Sequence, residues 1–144
     1  MHKVTYWASM VVILACISAM LLFTFWFVYP YEIFVSNVNP MKVVTKKVRI
    51  GENFTYIADY CKFTDLIPTR IVRQLVDGYA YDLPVSQSNN FPKGCRKVEV
   101  TIPLTLPNTV KAGTYHIKVT GEYQVNPVRS WTYVLETEDF ELIK

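Results

Sequence analysis

The sequence predicts an all-β domain, an antiparallel β-sandwich of about seven strands, that follows one N-terminal transmembrane α-helix. Three observations carry this prediction. An apolar segment without Asp, Glu, Lys or Arg begins at Val4 and ends at Val28. From Ile33 onward, apolar and polar residues alternate with a period of two, as they do in strands. Turn-forming residues interrupt this alternation roughly every 8–12 residues, which is the spacing of a sandwich or barrel.

The composition excludes several classes of protein. Hydrophobic residues make up 51% of the chain and charged residues 19%, which is too apolar for a disordered chain. All the acidic residues lie at or beyond Glu32, where basic residues are mixed with them. The net charge of +3 therefore forms no contiguous basic surface, and we expect no nucleic-acid partner.

The apolar segment is long enough to cross a membrane. Its roughly 25 residues extend about 37 Å as an α-helix, against a hydrocarbon core of about 30 Å. Tyr6 lies near one end and Trp26 near the other, where aromatic rings favour the two membrane interfaces. Pro30 ends the helix because proline cannot continue its hydrogen-bond pattern. We predict that the lipid bilayer surrounds this segment.

The flanking charges predict the orientation of the segment. The α-amino group, His2 and Lys3 precede it, whereas residues 29–38 contain one acid and no base, which favours a cytoplasmic N-terminus. Basic residues within 42–49 argue the other way, but they belong to the folded domain, and domains translocate largely regardless of charge. Residues 1–31 are thus a cytoplasmic tip and a span, and residues 32–144 are a periplasmic or extracellular domain.

Two kinds of N-terminal processing are alternatives to this anchor. A cleaved signal peptide would release a secreted domain, but the apolar segment is long for one and no small-x-small cleavage site follows it. A lipoprotein signal would place a lipid on Cys16. In that case a second apolar run would follow the cut, and Leu14 is bulky for its position. The other interpretation of Cys16 is a small apolar residue inside the helix.

Turn signals and alternation define the strands of the outer domain. Residues 52–62 carry apolar groups on both faces, as a central strand does. Asp77 and Gly78 suit a two-residue hairpin connection because both accept positive φ. The predicted strands are residues 41–50, 52–62, 69–76, 79–83, 96–104, 114–125 and 129–142.

The segment from Ala112 to Ile117 resembles the A-G-x-Y start of strand F in immunoglobulin-like and fibronectin type III-like domains. This resemblance implies a sandwich with one of those two strand orders. Tyr115 would then be the tyrosine-corner residue, whose hydroxyl bonds to the preceding loop. A short anchor followed by one such domain is also similar to small membrane proteins of tailed bacteriophages and their bacterial hosts.

The resemblance also implies a disulfide. In a sandwich of that order the second and fifth predicted strands are antiparallel neighbours, and Cys61 ends one while Cys95 precedes the other. The bond would close a loop of about 34 residues and add roughly 3–4 kcal/mol to stability. It would form in an oxidising compartment, in agreement with the predicted orientation. Two free, buried thiols are the alternative.

Residues for catalysis or metal binding are sparse. His2 and His116 are the only histidines, and the chain contains no C-x-x-C motif. A zinc site needs about four ligands at a workable spacing, which Cys61, Cys95 and His116 do not provide. We therefore expect neither an enzyme nor a cofactor or metal.

A partner-binding surface is predicted around the Asp77–Gly78 turn. Tyr79 and Tyr81 lie near a sheet edge, and a polar loop that contains Asn89, Asn90 and Phe91 follows them. Tyr, Ser and Asn are typical of adaptable contact surfaces. The alternative is that Tyr79 or Tyr81 packs into the core and that the loop only connects strands.

An anchored sandwich without a catalytic cluster is expected to be a binding or assembly module that contacts an envelope or surface protein. The bacteriophage resemblance implies a host-envelope interaction, such as the exclusion of a second infecting phage. The alternative is a structural subunit of a membrane complex whose helix packs against other spans. Ala15 and Ala19, four residues apart, have the spacing for such packing. The residues do not predict an oligomeric state.

Overall fold

The computed structural model describes residues 2–28, 32–84, 91–107 and 109–144. A long helix, α1 (His2–Val28), precedes a domain of β-strands. The strands in the described part of the chain are β1 (Phe34–Ser36), β2 (Lys42–Val43), β3 (Lys47–Arg49), β4 (Asn53–Lys62), β5 (Arg70–Val76), β6 (Ala80–Asp82), β7 (Gly94–Pro103), β8 (Gly113–Asn126), β9 (Arg129–Glu136) and β10 (Phe140–Ile143).

Helix α1 is apolar around its whole circumference. From Tyr6 to Val28 it is long and apolar enough to cross a membrane, and the rest of the chain buries none of this stretch. The core helix of a soluble protein would instead bury its apolar face against its own domain. A membrane anchor and a signal sequence both have the properties of α1.

Strand β4 is the centre of the first sheet. It pairs antiparallel with β7 along its whole length on one side. β1 and β2 share its other side, β1 along its last residues and β2 along its middle. Every second side chain of β4 faces the core, so this strand buries Phe54, Tyr56, Ala58, Tyr60 and Lys62.

Strand β8 is the centre of the second sheet. β5 pairs antiparallel with it on one side, and β9 and β10 pair antiparallel on the other. β6 lies beyond β5, and β3 lies beyond β10 in a parallel pairing. This sheet is therefore mixed, which corrects the prediction that all strands are antiparallel.

Two of the predicted strands are divided. The predicted strand 41–50 contains β2, which belongs to the first sheet, and β3, which belongs to the second. The chain crosses between the sheets within this segment, and the alternation changes phase there: Met41 and Val43 are buried before the crossing and Val48 is buried after it. The predicted strand 129–142 ends as β9 and resumes as β10, because buried Thr137 turns its side chain to the neighbouring strand. Its Oγ1 accepts a hydrogen bond from the Ile117 amide at 2.9 Å.

The β5–β6 hairpin forms as predicted, but its connection is longer. Val76 pairs with Ala80, so three residues, Asp77, Gly78 and Tyr79, make the turn. Gly78 has a positive φ of 89°, and no residue other than glycine does so among those described. With a two-residue turn, Val76 would pair with Tyr79. In the structure Tyr79 belongs to the turn, and Val76 pairs with Ala80 instead.

The two sheets enclose one core that is rich in aromatic rings. Phe34 of the first sheet stacks on Tyr133 of the second at 4.7 Å between ring centres, and Phe54 packs on Phe140 at 4.2 Å. Lys62 is 2% exposed within this core. Its Nζ donates to the Phe91 carbonyl oxygen at 2.9 Å and lies 5.5 Å from the centre of the Tyr123 ring.

The domain has two distinct ends. The helix-proximal end consists of Ile33, residues 63–69 between β4 and β5, and residues 126–129 between β8 and β9. The Phe63 amide donates a hydrogen bond to the Ile33 carbonyl oxygen at 3.0 Å, and this bond joins Ile33 to the connection between β4 and β5. The helix-distal end consists of residues 77–79 and 109–112, because β5 ends and β8 begins there.

The buried tyrosines predict a loss of stability in alkali. Burial raises the pKa of Tyr123 from its ordinary value of 10.0 to about 12, and burial raises the pKa of Tyr133 as well. Between pH 10 and pH 12 the unfolded chain releases tyrosine protons that the folded chain keeps. The contribution of Tyr123 to the free energy of unfolding is therefore fully present below pH 10 and is lost as the pH rises towards 12. Urea denaturation of the full chain in detergent at several pH values measures this slope.

A matched pair of variants isolates this effect. Burial lowers the pKa of Lys62, so Lys62 acts in the opposite direction, and its contribution saturates above the ordinary lysine pKa of 10.5. Above that pH, Tyr123→Phe is expected to reduce the slope of the unfolding free energy against pH, whereas Val134→Ala, which changes an exposed side chain without a titrating group, leaves it unchanged. Equal slopes for both variants would contradict the assignment to buried tyrosines.

Candidate functional site

A disulfide joins Cys61 and Cys95, with an S–S distance of 2.01 Å, and confirms the predicted pairing. The two residues are direct partners in the β4–β7 register. Because Tyr60 and Lys62 face the core, Cys61 points to the outer face of the sheet, where Cys95 is exposed. The bond therefore fastens the two strands at the helix-proximal end and is accessible to a reductant from solvent.

Tyr115, near the start of β8, connects this strand to the segment that precedes it. Its hydroxyl donates a hydrogen bond to the Lys111 carbonyl oxygen at 2.9 Å, four residues upstream. The ring is buried, and this burial raises the pKa of Tyr115; the adjacent Asp77 carboxylate raises it further. Asp77 thus lies beside the hydroxyl, so the β5–β6 turn and the start of β8 meet at Tyr115.

A cavity of about 320 Å³ lies where these two segments meet. We call it the tyrosine pocket; its lining residues are Asp77, Tyr79, Tyr81, Thr109, Lys111 and Tyr115. The β5–β6 hairpin supplies the first three, the connection from β7 to β8 supplies Thr109 and Lys111, and β8 supplies Tyr115. Because both segments belong to the helix-distal end, the tyrosine pocket lies at the end of the domain opposite α1.

The structure separates the predicted partner-binding residues into three groups. Tyr79 and Tyr81 both line the tyrosine pocket, and Tyr79 is 76% exposed. Asn89 and Asn90 lie outside the described residues. Phe91 is buried and packs on Tyr60 at 4.6 Å between ring centres, so its prediction as a contact residue is corrected. An aromatic side chain gains more from burial in the core than from contact with water, even beside a polar stretch of sequence.

The tyrosine pocket combines aromatic rings, hydroxyl groups and two charged side chains. Tyr79 and Tyr81 supply large apolar rings with hydroxyls that both donate and accept hydrogen bonds. Asp77 and Lys111 add one negative and one positive side chain, which can pair with opposite charges on a partner.

Thr109 and Lys111 are pocket residues that the sequence did not predict. They follow the fifth predicted strand and carry no motif of their own. The only signal was indirect: the A-G-x-Y resemblance ties the Tyr115 hydroxyl to the preceding loop, which is the segment that contains Lys111. The partner of that loop across the pocket, the β5–β6 turn, is more than 30 residues away in the sequence.

A second recess of about 500 Å³ lies where β9 gives way to β10. His116 Nδ1 lies 3.6 Å from an Asp139 carboxylate oxygen there, and Glu136 and Glu138 line the same recess. A Glu138 carboxylate oxygen accepts a hydrogen bond from the Val43 amide at 3.3 Å. Among the residues that the structure describes, no group of three or more His, Cys, Asp or Glu is arranged to hold a metal ion.

The sites described above are one exposed disulfide, one tyrosine-lined pocket at the helix-distal end and one recess where β9 gives way to β10. Neither a protein-family model nor a curated protein matches this chain, so its function is inferred from the geometry of these residues.

Proposed function

We propose that this chain is a single-span membrane protein that displays an immunoglobulin-like domain outside the cytoplasm and binds an envelope or surface protein through its helix-distal end. The tyrosine pocket is the observation that carries the binding role. A bacteriophage membrane protein, expected from the sequence alone, would make a host envelope protein the first class of partner to test.

The character of α1 supports the anchor. The apolar stretch of 23 residues from Tyr6 to Val28, which the rest of the chain does not bury, needs an apolar environment, and a bilayer supplies one. The Cys61–Cys95 disulfide supports an oxidising compartment for the domain, because thiols are kept reduced in most cytoplasms. Together they favour a cytoplasmic N-terminus and an outer C-terminal domain.

The topology supports the immunoglobulin-like assignment. The N-terminal strand region pairs first with β4 and then, as β3, runs parallel to the last strand β10. β4 pairs with β7 in one sheet, while β5 and β8 pair in the other, which is the division expected of that fold. The hydrogen bond from the Tyr115 hydroxyl to the Lys111 carbonyl oxygen has the form of a tyrosine corner.

The position of the tyrosine pocket supports docking to a protein. An anchored domain presents its far end to molecules outside the membrane, and the pocket lies at that end. Exposed tyrosines bury a large area at low cost in side-chain entropy, which makes them effective anchors in interfaces. Asp77 and Lys111 supply charges that can discriminate among partners.

A photo-crosslinker tests this role in cells that naturally produce the chain. We expect p-benzoylphenylalanine at Tyr79 to capture a defined protein, and the same group at Val134, exposed on β9, to capture none. Reversing the pocket charge by Lys111→Glu should reduce the Tyr79 adduct several-fold. Lys111 is exposed and contributes only its backbone to Tyr115, so this variant should fold normally. Equal capture at both positions, or no effect of Lys111→Glu, would count against the pocket.

The second candidate function is a structural subunit of a membrane complex. The uncovered surface of α1 favours it, since Ala15 and Ala19 would allow another helix to approach closely. Replacing the segment that begins at Val4 and ends at Val28 with an unrelated apolar span distinguishes the two functions. A docking module should still form the Tyr79 adduct, whereas a subunit that packs through its helix should lose its association with the complex.

A further inference from the structure

Large apolar side chains are exposed on the loops of the helix-proximal end. Phe63 and Ile67, between β4 and β5, are 52% and 65% exposed, and Val128, between β8 and β9, is 47% exposed. These residues come from two separate connections, yet both connections belong to the same end of the domain. An exposed group of this kind marks an interaction surface or a membrane contact.

The chain holds this end close to the end of α1. Ile33 is fully buried in the domain, and only five residue steps separate it from Val28, which limits the separation to about 18 Å. The second sheet contacts the end of α1 directly. Asn126 Nδ2 donates to the Trp26 carbonyl oxygen at 3.2 Å, and Arg129 Nη1 donates to the Phe27 carbonyl oxygen at 3.3 Å.

These hydrogen bonds fix the depth of the loops relative to a bilayer. The 23 residues from Tyr6 to Val28 extend about 35 Å, slightly more than the hydrocarbon core of about 30 Å. The Trp26 and Phe27 carbonyl oxygens therefore lie at the boundary of the hydrocarbon. Side chains that contact them from the β8–β9 turn lie at the depth of the lipid headgroups.

Residues beside the helix-proximal end also match a headgroup environment. Trp131, on β9, is half-buried beside Tyr123, and tryptophan is enriched at membrane interfaces. Lys93 and Asp65 form an exposed ion pair at 3.2 Å. Exposed apolar side chains between charged and amphipathic ones are the pattern of a surface that lies in the interface.

We infer that the helix-proximal end is a second membrane-contact surface, in which Phe63, Ile67 and Val128 insert into the headgroup region of the bilayer. The domain then sits on the membrane with its tyrosine pocket facing away from it. This inference rests on the proposed anchor and adds a defined orientation of the domain to it.

Fluorescence quenching by lipids tests the inference on the full chain. Single cysteines labelled with nitrobenzoxadiazole are placed in a Cys16→Ser background at Ile67, at Val44 and at Leu14, and each protein is reconstituted into phosphatidylcholine–phosphatidylglycerol vesicles. Lipids that carry a nitroxide just below the headgroup supply the quencher. Val44 is the matched control, because it is half exposed but lies outside the helix-proximal end, and Leu14 reports on the span itself.

We expect the label at Ile67 to be quenched several-fold more than the label at Val44. With the label moved to Val128, Phe63→Ser and Ile67→Ser together should reduce its quenching. Both serines replace exposed loop residues, so the fold should persist. Equal quenching at 67 and 44, with a protected label at 14, would overturn the inference and leave the anchor intact. A label at 14 that is accessible to water would instead refute the anchor.

Discussion

Replacing Gly121 with alanine is expected to lower the free energy of unfolding by about 3 kcal/mol, at the upper end of what overpacking in a core costs. Gly121 and Tyr133 are direct partners in the β8–β9 register, and the Tyr133 ring lies across the glycine. A Cβ atom at position 121 would overlap ring carbons of Tyr133. The ring has no free direction of escape, because it stacks on Phe34 at 4.7 Å and packs on Tyr123 at 5.9 Å.

Gly113 is the matched control, since it belongs to the same strand. The nearest side-chain atom to a Cβ at Gly113 is a Tyr115 ring carbon at 3.5 Å, which is an ordinary contact. Gly113→Ala should therefore change stability by less than about 1 kcal/mol. Urea denaturation of the full chain in detergent, followed by Trp131 fluorescence with Trp7 and Trp26 replaced by Phe, compares the two. The same loss from both variants would show that Tyr133 does not resist the added methyl group.

Replacing both Cys61 and Cys95 with alanine is expected to lower the free energy of unfolding by about 4 kcal/mol in the chain-entropy model. The two cysteines are 34 residues apart, so the disulfide removes considerable freedom from the unfolded chain. The loss is a large part of the 5–15 kcal/mol or so that stabilises a typical domain. The variant should consequently unfold at a much lower urea concentration than the natural chain.

Reduction provides an independent measurement of the same quantity. The bond is on the outer face of the first sheet, so dithiothreitol should reach it in the folded domain and shift the natural chain to the midpoint of the double variant. Cys16→Ser removes the free thiol of α1 and should leave the midpoint unchanged. If the reduced chain and the double variant both keep the natural midpoint, the disulfide does not contribute to stability.

The sequence predicts those features that depend on local pattern. The absence of charge between Val4 and Val28 is enough to predict α1, and alternation locates the long strands β4, β7 and β8 to within two residues at each end. Cys61 and Cys95 were paired through the resemblance, because strand order places their ends together. The A-G-x-Y segment likewise predicts that the Tyr115 hydroxyl bonds to the segment that precedes it.

Features that depend on tertiary contacts were not predictable in the same way. The alternation of residues 41–50 changes phase between Val43 and Val48, but this pattern alone does not say that the two halves belong to different sheets. Phe91 follows a polar stretch of sequence, and its burial depends on packing against Phe34 and Tyr60, which only the folded domain brings together. The tyrosine pocket needs the β5–β6 turn and Lys111 together, and these segments meet only through the pairing of β5 with β8.

Strand β7 has a consequence for how copies of this chain behave beside one another. It is ten residues long, and among the described residues it pairs on one side only, with β4. A bare edge of that length is a template for sheet growth and aggregation. β7 carries exposed charged residues, Arg96, Lys97 and Glu99, and it ends at Pro103, which has no amide hydrogen to donate. Neighbouring copies of the chain would meet often along their sheet edges if they were confined to one membrane. The charged residues and Pro103 of β7 oppose the pairing of two such edges.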